Sequence, residues 1–180
     1  MREMTLKREG NMDALQAIRE NLTFARETFV GTIADVTPVM AAWDPKGKAN
    51  NIASLYAHTI HGEDMVIQGM LQGKPQLWQR DGWDKKLNIP FNGMMTEANR
   101  VMRVDPAALK LYAVAVAKAT DAYLASLKPA DLDRKITVGP PLGDQTVGWV
   151  IQMFIASNFY MHAGEISALK GVQGHKGYPF

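Results

Sequence analysis

The amino-acid sequence predicts an all-α fold, a single four-helix bundle with long connections between helices two and three and between helices three and four. Three observations carry that expectation. Four stretches repeat apolar residues at three- and four-residue steps, as a helix with one buried face does. Each stretch is bounded by residues that cap or break helices. A chain of 180 residues, 47% of them hydrophobic, can form one continuous core and stays within the usual size of one domain. Residues 1–180 are therefore read as one domain.

The first stretch covers residues 12–36, where Leu15, Ile18, Leu22, Ala25, Phe29 and Ile33 form one stripe. Pro38 and the segment WDPKGKANN then break the pattern, and Asn50 or Asn51 is suited to cap the next helix, because an Asn side chain accepts from the free amides of a first turn. The second stretch, residues 52–70, has the stripe Ile52, Leu55, Thr59, Gly62, Val66 and Met70, and Gly73 is a natural stop. Residues 74–92 hold Pro75, Trp78, Gly82, Trp83 and Pro90 without a regular period, which predicts a long loop packed over the bundle. A short helix is expected around residues 94–102.

Asp105 and Pro106 make a strong helix start, with the Asp as cap and the Pro at the first position, where its missing amide costs nothing. Leu109, Tyr112, Val116, Ala119, Tyr123 and Leu127 follow as the third stripe, ended by Lys128 and Pro129. Gly139, Pro140, Pro141 and Gly143 prevent a helix over residues 130–144, leaving an ordered or semi-extended connection. Asp144 or Thr146 caps the last helix, with the stripe Val147, Val150, Phe154, Asn158, Met161, Glu165 and Leu169, and with Ile151, Ile155, His162 and Ile166 beside it. Gly171 closes it, and VQGHKGYPF reads as a turn-rich tail.

Composition excludes several function classes. The 20 basic and 18 acidic residues are scattered, so no face is basic enough to hold a phosphate backbone, and nucleic acid is not an expected partner. There is no cysteine, which removes disulfides, thiolate nucleophiles and thiolate metal sites and leaves His, Asp, Glu and Asn as candidate ligands. The start of the chain lacks the apolar run of a signal peptide and no stretch reaches the length of a membrane span, so the expected compartment is the cytoplasm, without a membrane partner. Ser54, Ser126, Ser157 and Ser167 fall inside helices without a nucleophile elbow. The glycines of GVQGHKG follow a helix at its carboxyl end, where the dipole repels phosphate.

The residues left to carry chemistry sit on helices two and four. Asn158 and His162 are four apart and share a face, with Glu165 nearly one turn further. His58 and His61 are three apart on helix two, followed at once by Glu63 and Asp64. In bundles, metal and ligand sites are built from inward side chains on facing helices, which makes His58 with His162 a candidate metal pair. Each feature also has a plainer reading: a buried histidine is usually a core residue with one hydrogen-bond partner, and Glu63, Asp64 and Glu165 read as solvated or ion-paired face residues. The 11 methionines and the tryptophans Trp43, Trp78, Trp83 and Trp149 read as packing.

The segments WDPKGKANNIASLYAHTIHGED and SNFYMHAGEISALKGVQGHKGYPF together resemble the DinB superfamily over nearly the whole chain. The first is similar to that family's tryptophan, loop and helix-two histidine with a Glu five residues later, and the second to its closing His-x-Gly segment. The resemblance implies a DinB/YfiT-like four-helix bundle with a metal triad at one end. His58 matches the helix-two ligand, which His61 does not, and His162 matches the second helix-four ligand. The first helix-four ligand falls on Asn158, an amide and a weaker ligand for zinc or nickel than imidazole or carboxylate.

Related bundles with intact triads include transferases and isomerases that use a divalent metal to activate an external low-molecular-weight thiol against a small-molecule substrate. The resemblance therefore implies a metal at His58, His162 and Asn158, with Glu165 or His61 as the catalytic groups that orient substrate or water, and a homodimer. The alternative is a non-catalytic small-molecule-binding or stress-response bundle with a vestigial metal site. Metal-assisted hydrolysis, with Glu165 as base, is a third expectation.

Overall fold

Four side chains that accept from free backbone amides fix where the long helices begin. The Asp13 carboxylate accepts from the Gln16 amide at 2.8 Å, Asn51 from Ser54 at 2.9 Å, Asp105 from Ala107 at 2.9 Å and Thr146 from Trp149 at 3.1 Å. Each such cap contributes about 1 kcal/mol. In the computed structural model, which describes residues 12–89 and 95–180, they start α1 (Ala14–Ile33), α3 (Ile52–Asp64), α6 (Pro106–Ser126) and α7 (Val147–Ile151). Between α1 and α3 lies the short α2 (Pro38–Ala42), begun by Pro38 where a plain connection was expected.

Two of the long helices change their winding. α3 runs on without a break as a π-helical segment, Met65–Leu71. α7 runs through the π-helical Gln152–Ala156 into α8 (Ser157–Val172), so residues 147–172 are one continuous helix. A π turn carries more residues than an α turn and rotates the face that follows it. Within it Ile155 and Ala156 are buried, and beyond it Phe159, Ala163, Ile166 and Lys170. The expected stripe through Phe154, Asn158, Met161, Glu165 and Leu169 is thereby displaced from the core by about one residue, and Met161 and Glu165 are exposed.

The expected loop after α3 holds two short helices, α4 (Leu77–Arg80) and α5 (Trp83–Leu87). Its end and the start of the short helix expected at 94–102 lie outside the described residues; what is described there is a 3-10 turn, Glu97–Asn99. The connection after α6 is a 3-10 turn, Pro129–Asp133, followed by an antiparallel hairpin of β1 (Lys135–Gly139) and β2 (Gly143–Thr146), with Lys135 opposite Thr146 and Thr137 opposite Asp144.

The core lies between the four long helices. α1 packs on α8, α8 on α3 and α3 on α6, whereas α1 and α6 approach less closely and are bridged by Arg26 and Asp121. Phe29, Leu55, Ile67, Tyr112, Ile155 and Phe159 are fully buried there, with the Phe29 ring edge-on to Phe159 at 5.3 Å and to Tyr56 at 5.7 Å. Burying one such side chain contributes about 1.5–3 kcal/mol. The C-terminal tail is folded back onto the bundle: Lys170, buried at the end of α8, donates to the carbonyls of Thr32 at 2.8 Å and Gly177 at 3.1 Å and pairs with Asp35 at 2.5 Å. Pro179 packs so closely on Gly31 that a Cβ there would lie 2.8 Å from its ring.

Candidate functional site

α3 and α8 pack side by side, and their contacts pair residues in opposite directions along the chain. The rings of His58 and His162 meet edge to face with centres 5.0 Å apart. One turn further along α3, Gly62 faces Asn158, whose amide nitrogen would lie 3.5 Å from a Cβ at that glycine. His58 and Gly62 are four apart, as are His162 and Asn158, so an antiparallel seam brings all four to one place. His58, Asn158 and His162 are all half-buried, reachable from solvent but not solvated on every side.

Glu165, on the next turn of α8, completes the cluster. Its Oε2 lies 2.7 Å from His162 Nδ1. A carboxylate accepts, so the imidazole donates from Nδ1, and in the neutral ring the lone pair then lies on Nε2. The same hydrogen bond, together with the nearby imidazoles, holds the Glu165 carboxyl below the usual range. The carboxylate is 54% exposed, so its part is to orient the ring more than to stabilise the fold.

His61 does not join the pair. It is buried one turn from His58, edge-on to Trp78 with ring centres 4.9 Å apart, and burial, aided by the charge of His58, pushes it down to about 4. A group enclosed in this way is held neutral at ordinary pH. Trp78 and Trp83 both pack at a tilt against Tyr112, with ring centres 5.3 and 5.4 Å away, so α4 and α5 form a cover over this end of α3 and α6.

Glu63 and Asp64, expected on a solvated or ion-paired face, are both fully buried. Asp64 accepts from the amides of Leu77 and Trp78 at 3.0 and 2.9 Å and from the Tyr112 hydroxyl at 2.7 Å. It thus caps α4 from another helix and ties the cover down. Glu63 is paired with Arg26 of α1 at 2.7 Å, and Arg26 also reaches Asp121 of α6 at 2.8 Å. Nothing in the sequence around Arg26 signalled this bridge, because its partners are 37 and 95 residues away.

The donor set can be tested against the metal that the family resemblance implies. Two imidazoles that share one ion through nitrogens at about 2.0–2.1 Å have ring centres roughly 5 Å apart. The His58 and His162 rings have that spacing. A carboxylate hydrogen-bonded to the remote nitrogen of a ligating imidazole, as Glu165 is to His162, is the usual way in which such a ring is oriented. The third place holds an amide, and among the described residues no three His, Asp or Glu side chains gather as a metal-binding group. The residues therefore suit a weakly held divalent ion and not a tight structural one.

Comparison with known proteins agrees with this architecture. A family model described as the DinB superfamily matches residues 21–166. The crystal structure of a conserved protein from Enterococcus faecalis is similar in fold, with a TM-score of 0.74 and 23% sequence identity over 91% of this chain and 99% of that one. No curated protein matches the sequence. Among the described residues no helix is long and apolar enough to cross a membrane.

Proposed function

Since the chain belongs to the DinB superfamily, we propose that it binds a divalent metal, zinc or nickel, weakly between His58 and His162 and uses it on a small-molecule substrate together with an external low-molecular-weight thiol. The observation that carries this reading is the His58–His162 pair itself, 5.0 Å between ring centres, with His162 anchored through Nδ1 by Glu165. Asn158 supplies a neutral oxygen or a hydrogen bond in the third position. When bound, a divalent ion lowers the pKa of a coordinating thiol, so that it reacts as thiolate near neutral pH. The chain has no cysteine, so that thiol comes from outside.

The protein's own residues have narrower tasks. His162, held in one tautomer, presents Nε2 in a fixed direction, and His58 supplies the facing nitrogen. Glu165 is accessible at the rim and, as the carboxylate, can accept a proton from substrate or water. His61 keeps its place under Trp78 and shapes the floor. A homodimer belongs to the same proposal, supported by the exposed apolar side chains Phe24 on α1 and Met161 on α8; light scattering on the purified protein tests it.

The amide at position 158 favours a second reading, a non-catalytic small-molecule-binding bundle whose metal site is vestigial. Edge-to-face rings also pack at this spacing with no ion between them. Elemental analysis of untagged protein after dialysis against micromolar zinc or nickel separates the two. The proposal expects close to one ion per chain, lost in His58→Ala. Substoichiometric metal that is unchanged in His58→Ala would leave only the vestigial reading.

A further inference from the structure

On the face of the bundle opposite the histidine pair, the fourth seam is only partly filled. α1 and α6 are joined there by side chains, Arg26 pairing with Asp121 and Arg19 donating to the Leu124 carbonyl, and beside that bridge lies a cavity of about 360 Å³ with Phe29, Ile33, Tyr56, Ile60, Val114 and Phe159 among its walls. Its size is that of a small-molecule site, roughly 300–1,000 Å³. An apolar cavity gives water few partners and is poorly filled by it. At the rim Val30 and Val114 are left 47% and 61% exposed, apolar surface that an occupant would cover.

We propose that this cleft binds an elongated apolar carboxylic acid, such as a medium-chain fatty acid, with its carboxylate on Lys110. Length favours a chain over a compact ring: the lining of α6 runs from Pro106 to Ala117, eleven helical steps and so roughly 16 Å. Charge fixes the head group. Of the charged lining residues, Arg26 and Glu63 pair with each other, and Lys110 makes no ion pair among the described residues. The Arg26 end also carries Asp121, so two carboxylates disfavour an anion there. An acyl chain along the cleft with its head at the exposed Lys110 meets neither an unmatched charge nor a like one. The site shares no side chain with the His58–His162 seam and does not depend on metal binding.

Titration calorimetry with decanoate and with decanol on the full chain tests the assignment. One decanoate per chain is expected, with decanol binding more weakly. Lys110→Glu, an exposed position that leaves the fold intact, should weaken decanoate about tenfold or more and leave decanol unchanged. Ala113→Trp should fill the cavity and remove both, with an unchanged circular-dichroism spectrum. His58→Ala should bind decanoate as the wild type does, which keeps failure here distinct from failure of the metal reading. No binding of decanoate at millimolar concentration, or binding that neither Lys110→Glu nor Ala113→Trp alters, overturns the proposal. So does a dimer in sedimentation that Ala113→Trp dissolves, since the cleft would then belong to a second copy of the chain.

Discussion

The two seams that flank α3 use their polar groups in opposite ways. Toward α1 and α6, Glu63 is buried and matched by Arg26, which is itself shared with Asp121. Toward α8, His58, Asn158 and His162 are half-buried, and Glu165 is more than half exposed. A buried ion pair is rigid and severe to break, because the surviving charge has neither water nor partner. Groups at a partly wet seam contribute little to folding and keep lone pairs available. The first arrangement holds the helices in register, and the second leaves chemistry possible between them.

Breaking the closed side should have the largest effect. Arg26→Ala strands Glu63 in the core and should cost about 3–5 kcal/mol in urea unfolding, whereas the paired replacement Arg26→Met with Glu63→Leu should recover most of it. If Arg26→Ala is as stable as the wild type, the contrast between the seams fails. The next largest effect is acid lability from His61, which lies beneath the open seam. Below about 6.5 the unfolded imidazole takes up a proton, while the folded one stays neutral down to about 4. Stability is therefore complete above that window and falls as pH drops through it, by about 3 kcal/mol. The difference between the wild type and His61→Leu across this range isolates the effect, because the buried Glu63 and Asp64 remain in both.

On the open side the effects should move from stability to affinity. Asn158→His places a strong ligand where a weak one stands and should tighten zinc binding about tenfold or more by calorimetry, with little change in unfolding. No gain would mean that the helix-four positions do not converge on His58. The smallest stability effect belongs to Glu165→Ala, within about 0.5 kcal/mol for an exposed ion pair. Its metal affinity should nevertheless drop, because His162 loses the acceptor that orients it.

How far the sequence reveals this molecule depends on the range of the interaction concerned. Asn51, Asp105 and Thr146 act within a few residues of themselves, so the starts of α3, α6 and α7 were readable. The displacement on the last helix was not, because a π segment at Gln152–Ala156 leaves no mark in a 3.6-residue pattern until the face beyond it has moved. For the same reason the spacing aligned Glu165 with the apolar stripe, although its charge marked it as a solvated or ion-paired residue, as it is. In the hairpin at 135–146, strands of five and four residues alternate too briefly to stand out beside Gly139, Pro140 and Pro141. His58 and His162 stood out by residue type, but whether their rings meet is decided by the packing of α3 on α8. Asp64 depends on amides 13 and 14 residues away and Glu63 on a guanidinium 37 away, so neither role could be inferred from neighbours.

Lys170 bears on how the chain is made. Its ammonium is enclosed by a carbonyl from the end of the first helix, a carboxylate two residues beyond that helix and a carbonyl from the tail, the first two more than 130 residues upstream. During synthesis α1 leaves the ribosome long before any of this is available, and its seam with α8 stays uncovered until more than 130 further residues have emerged. The bundle is thus sealed from its carboxyl end. Stop codons or proteolytic cuts just before Gly177 should yield chains that keep all the long helices yet retain a buried cation short of one acceptor, a state for quality-control proteases to recognise.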